Sequence, residues 1–367
     1  MVEHKADQKQ GGSIFDISKL QKQPNLPTEF VWPEEDLPDP NPEELDAPLI
    51  DLSGLVRGDE KAILIAAEQV RRACVNHGFF QIINHGVDAS LIQAAHQEMD
   101  AVFKLPFDKK LSISQKPGSL AGYSGAHSHR FPSNLPWKEL YSFLYSHDKS
   151  SEEAEVVNYF KSVLGEDHES MGRVYQKFCE EMKKVSEMIL ELLAISLGLE
   201  DRLHYKKYFE DAKSLMRVNS YPPCKNAELA LGTGPHCDPT SITILHQDQV
   251  GGLEVFYDNK WQSVRPRPDA FVINIGDTFM ALSNGKYRSC MHRAVVNTET
   301  ERRSLVFFVS PKEDKVVRPP QDLVCGEDQQ RKYPDFTWSD LMQYTQKHHR
   351  VDGDTLKCFV DYLMSSN

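Results

Sequence analysis

The sequence predicts an α+β fold in which a double-stranded β-helix, of the jelly-roll or cupin-like type, has flanking helices and an N-terminal α/β region. Three observations support this fold class. Segments with helical period come early, short strands with turn signals follow from about residue 215, and polar residues suited to a metal lie on separate strands. The predicted strands cover residues 215–221, 241–247, 253–257, 261–264, 270–275, 292–296 and 304–309.

The N-terminal half divides into two predicted parts. Residues 1–46 contain six prolines and many polar residues, which favours an arm that is partly disordered and partly extended over the domain. Residues 47–170 form an N-terminal region whose helices and strands are predicted at 48–52 (strand), 59–76 (helix, with Asp59 as N-cap), 78–84 (strand) and 90–103 (helix). Residues 113–166 show no clear period, which is typical of a binding loop or lid for a substrate.

The longest predicted helix covers residues 171–197, where apolar residues recur every three or four positions and Gly198 follows as a C-cap. It belongs to a segment of backbone helices over residues 171–210. The jelly-roll domain then spans residues 211–311, with Asp258-Asn259 as a hairpin turn. Residues 312–367 are predicted to end the chain with helices at 338–348 and 355–364.

Composition and charge argue against several functional classes. Hydrophobic residues make up 40% and charged residues 26%, as in a globular protein with a sizeable core. The net charge of −12 argues against nucleic-acid and anionic-membrane partners, and no apolar run is long enough to cross a bilayer. The polar N-terminus lacks a secretory signal, and seven scattered cysteines without a CxxC favour reduced thiols. We therefore expect a cytoplasmic protein, and a monomer.

One group of residues has the character of a metal site: His236-Cys237-Asp238, followed by His292. Alternate side chains of a strand share a face, so His236 and Asp238 can point to one spot while Cys237 points away. Two imidazoles and a carboxylate form the facial triad of non-haem Fe(II) oxygenases, although zinc hydrolases also use this ligand set. A single histidine such as His292 is more often a buried structural residue, and only the combination favours a metal.

The residues Arg302 and Ser304 repeat the i, i+2 spacing ten residues after His292. Arginine binds a carboxylate through two parallel hydrogen bonds, a clamp that a zinc hydrolase does not need. A molecule that chelates the metal at one end and meets Arg302 at the other fits 2-oxoglutarate, and that ion pair is worth about 4 kcal/mol at roughly 4 Å. Asn219 and Tyr221, again at i, i+2, are further candidates for this co-substrate site, with simple packing as the alternative for Tyr221.

Several segments carry a resemblance to a known family. Residues 215–320 and 48–146 resemble the plant 2-oxoglutarate- and Fe(II)-dependent dioxygenases, and shorter segments resemble the gibberellin 20-oxidases: FVWP at 30–33, LPWKE at 135–139, residues 232–239, NIGDTFMALSN at 274–284 and YPDFTWSDL at 333–341. The resemblance implies an iron site at His236, Asp238 and His292 and a 2-oxoglutarate site at Arg302, Ser304, Tyr221 and Asn219. Two departures are Leu140, where the family usually has Thr, and Ser220, where it usually has Tyr.

The resemblance also implies an activity. It is the stepwise oxidation of the carbon-20 methyl of gibberellin precursors to alcohol and aldehyde, then loss of that carbon to give a lactone or oxidation to the acid. Fe(II) is the expected metal, 2-oxoglutarate and O2 are the co-substrates, and ascorbate is the reductant. Because a gibberellin is an apolar carboxylic acid, we expect Trp137 to pack on its rings and Lys138 or Arg130 to bind a carboxylate. A core position for Trp137 and a solvated Lys138 are the alternatives.

Other functions remain open at the level of the sequence. The iron site does not separate a gibberellin 20-oxidase from a gibberellin 3- or 2-oxidase or a flavonoid oxygenase. A non-catalytic ligand sensor of this fold would be expected to show a damaged triad or clamp, and both are intact here. A metal-storage or structural cupin would have no need of Arg302.

Overall fold

A computed structural model describes residues 16–116, 118–126, 134–147, 154–324, 330–348 and 353–365. The helices are α1 Ile17–Leu20, α2 Ser53–Arg57, α3 Glu60–Asn76, α4 Ala89–Phe103, α5 Phe107–Ser112, α6 Glu155–Leu164, α7 Glu169–Ser196, α8 His204–Tyr208, α9 Asp277–Leu282, α10 Trp338–Lys347 and α11 Thr355–Ser365. The strands are β1 Glu43–Glu44, β2 Leu49–Asp51, β3 Phe79–Ile83, β4 Gly122–Gly125, β5 Glu139–Ser146, β6 Lys213–Tyr221, β7 Leu231–His236, β8 Ile242–Gln247, β9 Leu253–Tyr257, β10 Lys260–Ser263, β11 Phe271–Ile275, β12 His292–Val295, β13 Arg302–Ser310, β14 Val316–Val317 and β15 Phe336–Thr337.

Two sheets form the centre of the molecule. Within the described residues, the larger has eight strands in the order β2-β3-β11-β8-β13-β6-β5-β4, and the smaller has five in the order β1-β10-β9-β12-β7. Side chains from both sheets line one cavity, so the sheets face each other across it. This arrangement, with helices flanking the larger sheet, confirms the predicted α+β fold with a double-stranded β-helix.

The two faces of the larger sheet have different environments. On β13, Leu305 and Phe307 belong to the hydrophobic core that also contains the α7 residue Ile189. The alternating residues Val306 and Phe308 point to the other face and line the cavity. Helix α7 therefore supports the sheet from behind, and the polar residues of these strands are held in fixed positions between the sheets.

Most predicted elements are confirmed to within two residues. The helix predicted at 59–76 is α3, and the Asp59 carboxylate accepts a hydrogen bond from the Ala62 backbone N–H at 3.2 Å, as an N-cap does. The methionines of α7 are core residues, with Met171 and Met182 almost fully buried. Asp258 and Asn259 have φ angles of 53° and 59°, so the hairpin turn has the left-handed backbone that the sequence suggested.

The expectation of an irregular segment over residues 113–166 is wrong in part. The described residues of this segment contain β4, β5 and α6. Strand β5 lies between β4 and β6, and the first five of its eight residues are all buried, so they do not alternate between apolar and polar. Strand β7 and helix α9 were also not predicted, because Gly232, Gly234 and Pro235 interrupt the strand pattern and α9 has only six residues.

The N-terminal arm lies along the barrel in its described part, and residues 1–15 of the arm lie outside the described residues. Phe30 and Trp32 are buried, and β1 adds to the smaller sheet by pairing in parallel with β10. The expectation of an extended arm over the domain therefore agrees with residues 16–46.

Two further observations concern the predicted environment of the protein. No helix within the described part of the chain has both the length and the apolarity needed to span a bilayer. The described cysteines, Cys74, Cys179, Cys224, Cys237, Cys290 and Cys358, all carry free thiols.

Candidate active site

The residues His236, Asp238 and His292 come together at one end of the smaller sheet. His236 is the last residue of β7 and His292 the first of β12, and the two are direct partners in the antiparallel pairing of these strands. His236 Nε2 lies 3.6 Å from Asp238 Oδ1, and His292 Nε2 lies 3.7 Å from Asp238 Oδ2. One ligand atom from each residue lies within 4.8 Å of the other two, as expected around a single ion.

The carboxylate of Asp238 is buried and oriented by two side chains. Thr243 Oγ1 and Asn274 Nδ2 both donate to Asp238 Oδ2, at 2.7 and 2.9 Å. Burial alone would raise the pKa of Asp238, but the charges and hydrogen bonds of His292, His236 and Asn274 hold that pKa well below its usual range. Asp238 is therefore an anionic ligand with a fixed orientation.

Both histidines present the same ring nitrogen to the site. His236 Nδ1 lies 2.9 Å from the Gly234 carbonyl, and His292 Nδ1 lies 3.3 Å from the Cys290 carbonyl. A carbonyl only accepts, so the proton is on Nδ1 and Nε2 is left as a lone-pair donor. Burial lowers the pKa of His292 to about 4, which keeps the ring neutral. Two imidazoles that present Nε2 and one carboxylate fit a non-haem Fe(II) ion.

The predicted co-substrate residues form a row across two strands of the larger sheet. In the pairing of β6 with β13, Arg302 is opposite Tyr221 and Ser304 is opposite Asn219. Asn219 Nδ2 donates to Ser304 Oγ at 3.1 Å. The i, i+2 spacing on each strand therefore places all four residues on one face, as predicted.

The guanidinium of Arg302 is buried, and no carboxylate of the described residues lies within ion-pair distance of it. Its Nη2 donates to Gln247 Oε1 at 3.0 Å, and its Cζ lies 4.9 Å from the centre of the Tyr221 ring. Among the described residues, Arg302 takes part in no ion pair, and Arg302 Nε and Asn219 Oδ1 have no hydrogen-bond partner. A buried cation with an unused donor is costly unless an anion binds there, so this row fits the distal carboxylate of 2-oxoglutarate.

Tyr221 faces Arg302 with its ring and not with its hydroxyl. Its hydroxyl lies 3.5 Å from Thr233 Oγ1, while its ring face lies against Arg302. The contact that the structure shows between Tyr221 and the clamp is thus a cation–π contact.

A cavity of about 910 Å³ connects the triad with the Arg302 row. Its wall includes apolar side chains such as Leu245 and Val306 and polar ones such as Lys138. This volume exceeds what a five-carbon diacid needs, and the remaining space can accommodate a second, larger and mainly apolar molecule.

The three predicted substrate residues have different outcomes. Lys138 lines the cavity and its Nζ donates to Thr233 Oγ1 at 2.9 Å, so it is buried rather than solvated. The prediction that Trp137 contacts the substrate is wrong: its indole is buried against Phe30 and its Nε1 donates to the Pro222 carbonyl. Trp137 points away from the cavity because alternation along the segment places it on the opposite side from Lys138. Arg130 lies outside the described residues.

Sequence reasoning missed four residues of the site. Thr243 and Asn274 orient Asp238, and Gln247 binds Arg302. Thr243 and Gln247 share one face of β8, so the same i, i+2 rule could have indicated them once their strand was paired with β13. Trp32 lines the cavity from the distant N-terminal arm, and no local pattern indicates that position.

The comparisons with known families agree with this geometry. Residues 212–311 match the 2OG-Fe(II) oxygenase superfamily, and residues 47–162 match the family described as non-haem dioxygenase in morphine synthesis N-terminal. The chain belongs to the 2OG-Fe(II) oxygenase superfamily and is a 2-oxoglutarate-dependent dioxygenase that uses Fe(II).

More specific similarity comes from individual relatives. The chain is 51% identical to gibberellin 20 oxidase 3 of Arabidopsis thaliana, over 97% of this chain and 94% of that protein. It is 50% identical to gibberellin 20 oxidase 1-B of Triticum aestivum, over 96% and 95% of the two chains.

Solved structures show the same fold. The crystal structure of JOX2 in complex with 2OG, Fe and JA is 31% identical, with a TM-score of 0.81 over 95% of this chain and 98% of that one. The rice dioxygenase for auxin oxidation is 27% identical, with a TM-score of 0.70 over 85% and 98% of the two chains.

Proposed function

We propose that this protein acts in gibberellin biosynthesis by oxidising the carbon-20 methyl of gibberellin precursors to alcohol and aldehyde, and then to a lactone with loss of that carbon or to the acid. The observation that carries the proposal is the identity of 51% to a gibberellin 20-oxidase over 97% of the chain. Similarity at this level covers the iron site, the co-substrate row and the segments around the cavity.

In this proposal the protein binds and orients the iron, and the iron and 2-oxoglutarate supply the oxidising chemistry. His236, Asp238 and His292 would hold Fe(II) through two nitrogens and one oxygen, a ligand set that would leave positions on the metal for 2-oxoglutarate and O2. When bound, the metal and 2-oxoglutarate supply the oxidising chemistry, in which the co-substrate loses CO2 and becomes succinate. Thr243 and Asn274 keep the Asp238 carboxylate in place during this chemistry.

The co-substrate row orients 2-oxoglutarate in this proposal. Arg302 binds the distal carboxylate through its fork of N–H groups, and Ser304 adds a hydroxyl that Asn219 orients. The ring of Tyr221 covers the guanidinium and limits its contact with water. Fixing one end of the co-substrate in this way fixes the distance of its other end from the triad.

The rest of the cavity binds the gibberellin. Its apolar wall suits the fused rings, and Lys138 is the proposed partner for a carboxylate of the substrate. Lys138 Nζ is held by Thr233, which is three residues before His236 on β7. A carboxylate bound at Lys138 would therefore lie at a defined position relative to the iron.

Other parts of the proposal concern conditions and organisation. We infer that ascorbate keeps the iron reduced, and that the enzyme works as a cytoplasmic monomer without a nucleic-acid or membrane partner. The chain divides into an arm at residues 1–46, an N-terminal region with a substrate loop at 47–170, backbone helices at 171–210, the jelly-roll domain at 211–311 and C-terminal helices at 312–367.

Product analysis tests the proposed reaction. The purified full-length protein is incubated with Fe(II), ascorbate, 2-oxoglutarate and a carbon-20 gibberellin precursor, and the products are identified by mass spectrometry. We expect the carbon-20 alcohol and aldehyde, followed by the lactone or the acid, with succinate released at each step.

The same assay separates the alternatives. Hydroxylation at carbon 2 or 3 with an intact carbon-20 methyl would indicate a gibberellin 2- or 3-oxidase. Turnover only with flavonoids would indicate a flavonoid oxygenase, and binding of a gibberellin without succinate release would indicate a sensor.

A further inference from the structure

Trp32 is the residue through which the N-terminal arm reaches the active site. Its indole lines the cavity, although the residue is only 6% exposed. The outer edge of the six-membered ring lies against Gly234, since a Cβ at Gly234 would be 2.0 Å from Trp32 Cη2 and 2.6 Å from Cζ3. The carbonyl of Gly234 in turn binds His236 Nδ1 at 2.9 Å. Trp32 therefore packs on the peptide that orients a metal ligand.

The position of Trp32 is fixed from several sides. Its backbone N–H donates to the Leu229 carbonyl at 3.0 Å, and its Nε1 donates to the Leu135 carbonyl at 3.3 Å. The Leu135 N–H donates to the Glu29 carbonyl at 2.7 Å, so the arm and the 135–138 segment bind each other in both directions. Farther along the arm, the Asp36 carbonyl accepts from Arg293 Nη1 at 2.7 Å, next to His292 in sequence. The ring is held rigidly and adds little side-chain entropy cost on ligand binding.

We propose that Trp32 is a substrate-contact residue: its indole forms the apolar wall on which the rings of the gibberellin rest, and so determines which carbon faces the iron. The inference rests on the proposed function and adds to it a residue that determines specificity. Pro136, next to Leu135, and Pro235, next to Gly234, also line the cavity and extend this wall on either side of the ring. A rigid wall beside the triad limits the positions that a bulky apolar molecule can take.

The neighbouring Trp137 provides a matched control. It is buried to a similar degree and packs on Phe30 of the arm, in a hydrophobic cluster that does not include Trp32, and it does not line the cavity. Replacing either tryptophan by phenylalanine removes one indole hydrogen bond to a carbonyl, from Leu135 for Trp32 and from Pro222 for Trp137. Only the replacement of Trp32 should change the oxidation of the gibberellin.

The test compares the wild type with W32A, W32F and W137F in the full-length protein, with Fe(II), ascorbate, 2-oxoglutarate and a carbon-20 gibberellin precursor. For W32A we expect kcat/KM for the gibberellin to fall about tenfold, because the substrate is no longer held in position. The succinate formed per gibberellin oxidised should rise, while the KM for 2-oxoglutarate and the iron content stay at the wild-type values. W32F should lie between W32A and the wild type.

Each alternative outcome has a distinct signature. W137F should lower the melting temperature without changing the succinate-to-product ratio. A change in that ratio equal to the change in W32F would show that the effect comes from loosened packing between the arm and the 135–138 segment, and not from a contact with the substrate. The proposal also fails if W32A keeps the wild-type succinate-to-product ratio and the wild-type kcat/KM for the gibberellin. It fails as well if W32A raises the KM for 2-oxoglutarate by the same factor by which it lowers the kcat/KM for the gibberellin. A wild type that converts no gibberellin would instead overturn the proposed function, and this inference with it.

A second pair of variants tests the packing itself. In G234A the added methyl would meet the Trp32 ring, whereas the double variant W32A/G234A lacks the three atoms that lie nearest to that methyl. We expect G234A alone to lower gibberellin kcat/KM by several-fold more than it does in the W32A background. Equal losses in both backgrounds would show that the ring does not act at this position, and the proposal would be wrong.

Discussion

The two ends of the cavity are built in different ways. At the co-substrate end, Arg302 and Ser304 of β13 and Asn219 of β6 are neighbours in a single sheet, and their order follows from strand alternation. At the substrate end, Trp32 comes from the arm and Lys138 from the segment before β5, more than a hundred residues apart in sequence.

The two ends of the cavity therefore depend on different kinds of contact. The co-substrate end consists of regular strand positions with a rigid helix-backed sheet behind them, so its geometry depends little on loops. The substrate end depends on main-chain hydrogen bonds between distant segments, such as Leu135 N–H to Glu29 and Trp137 N–H to Leu231 at 2.8 Å. Substrate choice can therefore change without disturbing the iron chemistry.

The largest expected loss of activity follows from a change in the triad of His236, Asp238 and His292. Replacing His292 by alanine removes one of the three ligands, so bound iron should be lost and succinate formation should fall by more than about a hundredfold. Iron content by elemental analysis and succinate release measure the two effects. His204→Ala on α8 serves as the control and should keep both. A His292→Ala variant with full iron content would place the metal elsewhere.

The next effect belongs to the co-substrate end alone. Arg302→Lys keeps the charge but loses the fork, so the KM for 2-oxoglutarate should rise by roughly 10- to 100-fold while iron content is unchanged. The matched control is Arg303→Lys, whose side chain forms ion pairs with Asp100 and Glu301 and does not face the cavity. An unchanged KM for Arg302→Lys would mean that the carboxylate clamp lies elsewhere.

A third variant tests how the substrate end is held together. Lys110 Nζ forms a buried ion pair with Glu139 Oε1 at 2.7 Å, and the Tyr123 hydroxyl also donates to that oxygen. Lys110→Met leaves the buried carboxylate with one donor fewer, so the free energy of unfolding should fall by about 2 kcal/mol. Chemical denaturation measures the free energy of unfolding. The control is Lys109→Met, the same substitution at the exposed neighbouring residue. No difference between the two variants would show that this pair does not stabilise the segment.

A fourth variant concerns the proposed carboxylate anchor. Lys138→Met should raise the KM for the gibberellin by about tenfold, because one charged hydrogen bond to the substrate is lost, and leave the KM for 2-oxoglutarate unchanged. Steady-state kinetics with each substrate varied in turn separate the two constants. Lys104→Met, on the surface at the end of α4, should change neither. A rise in both constants would assign Lys138 to the structure of the cavity and not to substrate binding.

The smallest effect lies outside the cavity, at the end of β5 that is farther from Lys138. His147 follows β5, its Nε2 lies 2.7 Å from Ser214 Oγ, and burial together with the charge of Lys183 lowers its pKa to about 3. The unfolded chain takes up a proton near the usual value of 6.5, while the folded protein does not. Stability should therefore decrease as the pH falls from about 6.5 towards 3.

The variant His147→Gln isolates this contribution. Between about pH 7.5 and pH 5.5 the wild type should lose about 1 kcal/mol more unfolding free energy than the variant does. Urea denaturation at the two pH values measures the difference, with His204→Gln as the control. Equal losses in wild type and His147→Gln would show that His147 is protonated in the folded protein.

Local pattern was a reliable guide wherever one strand or one helix carried the information. The spacing of Arg302 with Ser304 predicted a shared face, which β13 shows. The spacing of His236 with Asp238 predicted that their side chains meet, and they do, although β7 ends at His236 and Asp238 lies beyond it. Local pattern did not predict strands whose residues are buried on both faces, such as β5, or strands interrupted by glycine and proline, such as β7. Local pattern also did not show that Lys138 lines the cavity whereas the adjacent Trp137 does not.

The predicted metal site, the predicted carboxylate clamp and the class of fold could all be inferred from the amino-acid sequence, because they follow from the period of two along a strand and from the chemistry of a few side chains. The place of Trp32 in the cavity wall, and the hydrogen bonds of Gln247 and Thr243 to Arg302 and Asp238, became apparent from the folded molecule alone. Such contacts depend on which distant segments pair and on how their side chains fill a shared space, so no single segment of sequence contains them.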